Sequence, residues 1–273
     1  MVAAMTQPGP STDSTSDTAD SSIGGGTTHF GFADVAIDKK TARVGAVFDS
    51  VAARYDLMND LMSGGVHRLW KATFVRRLGL RPGAHVLDVA GGTGDIAFRM
   101  LDRLDGDGRV TVCDINREML TVGTARAIDR GLLPAAGTLD WVCGNAEALP
   151  IADMSVDAYT IAFGLRNVTH IDLALAEARR VLKPGGRFFC LEFSHVVVPV
   201  LADLYERYSF AVLPRIGQLV ANDRDAYQYL VESIRRFPPQ DELLERMAKA
   251  GLARTRCENL SGGIVAIHSG WRL

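Results

Sequence analysis

Val86-Leu87-Asp88-Val89-Ala90-Gly91-Gly92-Thr93-Gly94-Asp95 reads as the end of a strand, a glycine turn and the start of a helix. Val86 and Leu87 form a short apolar run that suits a buried strand. Gly91, Gly92 and Gly94 follow within four residues. Glycine tolerates positive φ and lets a ligand lie directly on the backbone. Ile96–Leu101 then has helical character. Ordinary βα units also close on glycine with no ligand, but three glycines flanked by two acids point to a nucleotide-type site in a doubly wound sheet.

The type of nucleotide follows from charge. Gly92–Ala97 fits the dinucleotide pattern G-x-G-x-x-G/A, which leaves a nicotinamide-dependent oxidoreductase open. Asp95, however, sits where a pyrophosphate would dock on the helix N-terminus. A carboxylate there complements the helix dipole and repels a phosphate. Asp88, inside the strand, adds negative charge to the same crevice. A cofactor with a positive centre and no phosphate fits better, and S-adenosylmethionine is such a molecule. Asp88, Gly91, Gly92 and Gly94 are therefore expected at the cofactor.

Arg109–Asp114 reads as the second strand, and its terminal acid lies 20 residues beyond Gly94. An acid there can accept from both ribose hydroxyls. The competing role for Asp114 is to cap the helix at Asn116–Leu120. Leu139–Val142 is the third strand, and Asn145 with its small neighbours can lie against an adenine. Asp157–Phe163 and Arg187–Phe193 are the fourth and fifth strands, separated by a helix over Ile171–Leu182 that Lys183-Pro184-Gly185-Gly186 breaks. A helix over Asp241–Ala250 precedes closing strands at Thr255–Glu258 and Ile264–His268.

Outside this alternation lie two segments. Residues 1–38 are rich in Ser, Thr, Gly and Asp, and are expected to be a disordered leader ahead of one domain spanning 39–273. From Lys39 a strandless helical lead-in is expected to pack over the carboxyl ends of the strands. Residues 199–236 are expected to form a helical insert that covers the crevice as a lid.

Composition sets the bounds. Hydrophobic residues make up 47% of the 273, enough for a full α/β core. A balance of 30 basic against 32 acidic residues gives no case for nucleic acid as a partner. Cys113, Cys143, Cys190 and Cys257 are too far apart for a metal knuckle, so no metal is expected; each falls in a strand and is expected buried and reduced. No run approaches the ~18 apolar residues of a membrane span. Residues 1–38 hold no Lys or Arg, which argues against a secretory signal or a transit peptide.

The chain closely resembles the ubiquinone/menaquinone biosynthesis C-methyltransferases. The resemblance rests on V-F-D-S-V-A-A-R-Y-D-L-M-N-D-L-M-S-G-G-V-H-R-L-W-K, V-L-D-V-A-G-G-T-G-D, C-D-I-N, G-N-A-E-A-L-P, F-G-L-R-N-V, V-L-K-P-G-G-R-F and L-P-R-I-G-Q-L-V-A-N-D-R-D-A-Y-Q-Y-L-V-E-S-I. It implies a class I, Rossmann-like methyltransferase fold: a seven-stranded, mostly parallel sheet with helices on both faces. It implies S-adenosylmethionine contacts at Thr93, Asp114, Asn145 and Ala146. It departs at Ala162, where the family commonly has Ser, and in the leader. The implied reaction moves a methyl group to a ring carbon of a polyprenylated hydroquinone. The lipid tail implies contact with a membrane surface, and a cytoplasmic protein peripheral on the inner membrane. A homodimer or a quinone-synthesis complex is compatible with this.

For catalysis, a phenol titrates near ~10, so the site must stabilise the phenolate or take its proton. Arg166 and Asn167 follow the fourth strand in F-G-L-R-N-V, and Arg166 is the candidate electrostatic partner, with water taking the proton. His67 is the alternative base. A different small-molecule methyltransferase and a non-catalytic cofactor-binding subunit of a quinone-synthesis complex remain as competing functions.

Overall fold

A computed structural model of the protein describes residues 26–36, 39–40, 43–45, 63, 65–132, 137–198 and 224–273. Its strands send successive side chains to opposite faces, the two-residue period of extended chain. In β3 (Ala84–Val89), Val86 joins the apolar cluster on one face and Leu87 and Val89 join that on the other. The same division recurs in β4 (Gly108–Asp114) and β6 (Val156–Ala162). Strands buried on both faces need helices on both faces.

Those helices are present. On one face lie α1 (His67–Leu78) with Trp70, Phe74 and Leu78, α2 (Asp95–Leu104) with Ile96, Met100 and Leu104, and α3 (Arg117–Asp129) with Leu120 and Ala127. On the other lie α4 (Ile171–Val181) with Leu175 and Ala178, and a second helix, Gln240–Lys249, with Leu243 and Met247. Between them in the chain runs α5 (Arg224–Arg236), whose Leu230, Val231 and Ile234 join the first face; Gln240–Lys249 is therefore α6.

Among the described residues, the central sheet has seven strands in the order β5-β4-β3-β6-β7-β9-β8, where β5 is Leu139–Cys143, β7 Leu182–Phe193, β8 Ala253–Leu260 and β9 Val265–Trp271. β5, β4, β3, β6 and β7 are parallel, and β9 is antiparallel to both β7 and β8. The order reverses beside β3, because β4 lies on one side of it and β6 on the other. That reversal opens a crevice at the carboxyl ends of the strands. Seven strands, a mostly parallel sheet and helices on both faces agree with the expected class I methyltransferase fold.

Three expectations need correction. First, within the span expected to be a disordered leader, β1 (Thr27–Phe30) and β2 (Ala33–Ala36) form an antiparallel hairpin. Gly31 opens its two-residue turn at φ +59, as a type II′ turn requires. A lone hairpin is marginal in water; this one docks on α5. The Phe30 ring stacks on Tyr229 with centroids 4.3 Å apart, and the Phe32 amide donates to Glu232 Oε2 at 2.9 Å. Second, Lys183–Gly186 does not end the structure before β7 but sits inside it. Leu182 pairs with Val156 and Arg187 with Ala158, so the four residues between them bulge out of register. Third, Cys143 is exposed and Cys257 half-buried, whereas Cys113 and Cys190 are buried. Of the helical lead-in, residues 39–40 and 43–45 are helical. The rest of its first part, with the short helical piece at 56–62, and residues 199–223 of the proposed lid lie outside the described residues.

Candidate active site

The glycine turn joins β3 to α2 with its backbone packed hard against two strands. A Cβ on Gly91 would lie 2.7 Å from Val112 Cγ1 and 2.9 Å from Asp88 Oδ2, so only glycine fits. Gly94 caps α2 at φ +83, and a Cβ there would lie 2.7 Å from the Trp141 ring. Gly94 shapes the turn without lining the cavity. Gly91, Gly92 and Thr93 do line it, together with Asp88 from β3, Asp114 from β4, Asn145 and Ala146 after β5, and Ala162 and Asn167 after β6. The cavity measures about 1160 Å³ with its open mouth.

Asp114 is held by both adjoining turns. Its Oδ2 accepts from the Gly92 amide at 2.8 Å, and its Oδ1 accepts from the Asn116 amide at 2.8 Å. Capping of α3 falls instead to Asn116, whose side chain accepts from the Met119 amide at 3.0 Å. The Ile115 amide is a third backbone donor to this carboxylate, whose roughly four lone-pair sites leave acceptor capacity for a ribose hydroxyl. Burial raises the Asp114 carboxyl above its usual range, and the Asn116 and Gly92 amides oppose that. Asn145 Oδ1 accepts from the Glu147 amide at 3.0 Å, which fixes its side chain beside Ala146. Thr93 Oγ1 accepts from Arg126 Nη1 at 2.9 Å.

Asp88 is fully buried. Its Oδ1 accepts from the Thr160 hydroxyl at 2.7 Å, directly across the β3–β6 pair, and its Oδ2 has no partner among the described residues. Burial, with the charges of Asp114 and Asp95, pushes its carboxyl up to about 7, against the Thr160 hydrogen bond. Asp95 differs. Burial would raise it, but Lys71 at 2.9 Å and Arg99 at 3.0 Å hold it below the usual carboxylate range.

A family model described as the ubiE/COQ5 methyltransferase family matches residues 36–272. The chain belongs to the ubiE/COQ5 methyltransferase family. It is 60% identical over 246 residues to the ubiquinone/menaquinone biosynthesis C-methyltransferase UbiE of Paracoccus denitrificans, which covers 90% of this chain and 97% of that one. It is 54% identical over 261 residues to the mitochondrial 2-methoxy-6-polyprenyl-1,4-benzoquinol methylase of Oryza sativa subsp. japonica, covering 90% of this chain and 88% of that one. A solved structure from Thermotoga maritima, described as a SAM-dependent methyltransferase and possible histamine N-methyltransferase, aligns at a TM-score of 0.58 and 19% identity. That alignment covers 84% of this chain and 99% of that one, and shows a shared fold.

The protein is thus a methyltransferase whose co-substrate is S-adenosylmethionine, as the family implies. Its residues suit that group: an acid with free lone pairs stands at the end of β4, and an unpartnered buried carboxylate oxygen faces the turn. Asp88, Asp95, Asp114 and Glu147 line the cavity against Lys71 among the described residues, a balance that disfavours a pyrophosphate and with it the nicotinamide alternative.

In this ubiE/COQ5 member, F-G-L-R-N-V forms the end of β6 and a single 3₁₀ turn, Leu165–Asn167. Asn167 lines the cavity, and its Oδ1 accepts from the Tyr229 hydroxyl of α5 at 3.0 Å. Burial pushes Tyr229 up to about 12, with Arg166 opposing, so it stays a donor. Arg166 does not line the cavity. It is buried, with Nη1 on Glu192 Oε1 at 2.9 Å and on the Phe163 carbonyl, and its guanidinium lies over the Phe193 ring. Burial raises the Glu192 carboxyl above its usual range, although Arg166 counters it. His67 is buried in α1, away from the cavity lining.

The sequence pattern missed two cations. Lys71, buried on α1, lines the cavity; Lys40, also buried, donates to the Val168 carbonyl on the cavity wall at 3.2 Å. Both stand on helices where a lysine ordinarily marks the solvated face. An acid opening α2 at Asp95 was the one sequence sign that a buried cation would be needed.

Proposed function

We propose that the protein methylates a ring carbon of a polyprenylated hydroquinone, turning demethylmenaquinol into menaquinol, 2-methoxy-6-polyprenyl-1,4-benzoquinol into its 5-methyl product, or both. One observation carries this: 60% and 54% identity, each across 90% of the chain, to enzymes named for these two routes. S-adenosylmethionine supplies an electrophilic methyl group on a sulfonium.

The residues of the chain have the remaining work of making the ring carbon a nucleophile. Asn167 is the group placed to meet the ring oxygen. Its side-chain oxygen is already taken by Tyr229, which leaves the amide hydrogens for an oxygen gaining negative charge. Water in the open mouth takes the phenolic proton. Arg166 adds a positive field from behind the turn, reduced by Glu192, and holds the turn that presents Asn167. Thr93, Asp114, Asn145 and Ala146 hold the cofactor. The lipid tail is met at a membrane surface by a peripheral protein; among the described residues no helix is long and apolar enough to cross a membrane.

Mass spectrometry of quinones from cells lacking the protein tests the substrate. Accumulated demethylated quinol of one ring type names that ring. A normal quinone profile contradicts the proposal, and binding of NADH rather than S-adenosylhomocysteine in a thermal-shift comparison would restore the oxidoreductase alternative.

A further inference from the structure

We infer that Tyr229 is a positioning residue for methyl transfer, setting which end of the Asn167 amide meets the ring oxygen, and that the N-terminal hairpin holds Tyr229 in place through Phe30. The inference rests on the role proposed above for Asn167. An asparagine amide has an acceptor end and a donor end, and its last torsion has two nearly equivalent settings. Only the hydrogens can stabilise an oxygen that gains negative charge; the carbonyl end would repel it. Asn167 Oδ1 accepts from the Tyr229 hydroxyl at 3.0 Å, so the amide hydrogens are the end left for the cavity that Asn167 lines. Arg166 keeps this hydroxyl a donor. Its positive charge acts on Tyr229 more strongly than the negative charge of Glu192. A hydroxyl beside a cation turns its oxygen towards the charge and its hydrogen away.

Tyr229, Glu232 and Arg236 recur at i, i+3 and i+7 on α5 and so form one stripe, while Leu230, Val231 and Ile234 face the sheet. The hairpin meets that stripe at each position. The Phe30 ring lies 4.3 Å from the Tyr229 ring with 19° between their planes. The Phe32 amide donates to Glu232 Oε2 at 2.9 Å, and the Arg236 guanidinium lies 5.9 Å from the Phe32 ring. Phe30 also meets the Arg43 guanidinium at 5.9 Å, and Val44 and Gly45, next in the chain, line the cavity. One ring therefore joins the lead-in at 43–45, a wall of the cavity, to the tyrosine behind Asn167.

The hairpin shares no strand with the seven-stranded sheet, and all of it but Ala36 precedes residues 36–272 that the family model matches. It acts on the reaction from outside that span. Without the stack, the Tyr229 ring could swing its hydroxyl off Asn167, and the amide would then populate both settings. Holding the hydroxyl in place beforehand removes that reorganisation from the reaction itself.

Quinol methylation by the full chain, with S-adenosylhomocysteine affinity measured beside it, tests this. Tyr229→Phe keeps the ring and its stack and removes only the hydroxyl. It should lower kcat roughly 10-fold, the worth of one ordinary hydrogen bond, with quinol KM and S-adenosylhomocysteine affinity within about threefold. Asn167→Ala should lower kcat by roughly 10²–10³. Tyr229→Phe added to it should cost less than about twofold more, because the hydroxyl acts through that amide. Phe30→Ala should lower kcat by about 3–10-fold, and Phe30→Tyr, which keeps a ring on Tyr229, should restore it to within about twofold of wild type. If Asn167→Ala does not fold, Asn167→Leu, of similar volume, takes its place. Wild-type turnover without the Asn167 amide would overturn the role proposed for Asn167 and this inference with it. Slow turnover there, but a wild-type rate in Tyr229→Phe, would overturn this inference alone. So would a Tyr229→Phe loss that persists in full without the amide, which would make Tyr229 structural, or a wild-type kcat in Phe30→Ala.

Discussion

Replacing Arg166 by Met keeps most of the side-chain volume and removes the charge facing Glu192. Both side chains are almost wholly buried, 3% and 1% exposed. Removing one partner of such a pair leaves an uncompensated buried charge, at about 3–5 kcal/mol. Glu192 would not be entirely stranded. Its Oε1 also accepts from the Phe193 amide at 2.9 Å and its Oε2 from the Arg166 backbone amide at 3.3 Å, and neither needs the guanidinium. Its carboxyl, already raised by burial, can also take up a proton. The cost should therefore fall near the lower bound, about 3 kcal/mol. Adding Glu192→Gln removes the charge left behind and keeps an acceptor for the amides. The double variant should recover at least about 1 kcal/mol of that loss. Urea unfolding of the wild type, both single variants and the double variant measures this directly. An Arg166→Met protein within about 0.5 kcal/mol of wild type, the range of unremarkable surface changes, would refute the reasoning. So would a double variant no more stable than Arg166→Met.

Asp114→Ala should weaken S-adenosylhomocysteine binding by roughly 1–3 kcal/mol in calorimetry, because the ribose loses its acceptor; unchanged affinity would place the ribose elsewhere. Asp88 binds more protons folded than unfolded between pH 4 and 7, since burial raises it from 3.8 to about 7. Its contribution is therefore complete below pH 4 and is lost as pH rises through 7, by at most roughly 4 kcal/mol. Asp88→Asn should accordingly gain stability relative to wild type on going from pH 5 to pH 8 without ligand, and an equal difference at both values in denaturant titrations would contradict the assignment. Phe30→Ala removes the stack on Tyr229, worth about 0.5–1.5 kcal/mol beyond area burial. Hydrogen exchange should then show lost protection in residues 27–36 with the central sheet unaffected, and undiminished protection there would mean that the stack does not hold the hairpin.

Much of this was legible in the sequence because the strands are apolar runs with breakers beside them. All seven sheet strands lie where V-L-D-V, V-T-V-C-D, L-D-W-V, Y-T-I-A, F-F-C-L and the two closing runs place them. The acids ending β3 and β4 were legible for the same reason: polar residues closing buried strands must meet something. The hairpin was not, since T-T-H-F and A-D-V-A are only four residues each and dock on α5, about 200 residues away. The Arg166 partner was overlooked although a signal existed. Glu192 interrupts the otherwise apolar run F-F-C-L-E-F, and a carboxylate buried there demands a cation. Lys71 carried no such signal of its own, because its burial depends on α2 packing across α1, a tertiary contact that helical periodicity does not encode.

Methyl transfer itself is tested most directly with S-adenosylmethionine carrying a deuterated methyl group and a demethylated quinol in detergent or lipid. Purified protein should place the labelled methyl on a ring carbon of the reduced quinol, read by mass spectrometry and nuclear magnetic resonance. The oxidised quinone, which has no hydroxyl to ionise, should receive none. Label on a ring oxygen, equal labelling of quinol and quinone, or no transfer by protein that still binds S-adenosylhomocysteine would contradict the assignment of a quinol C-methyltransferase.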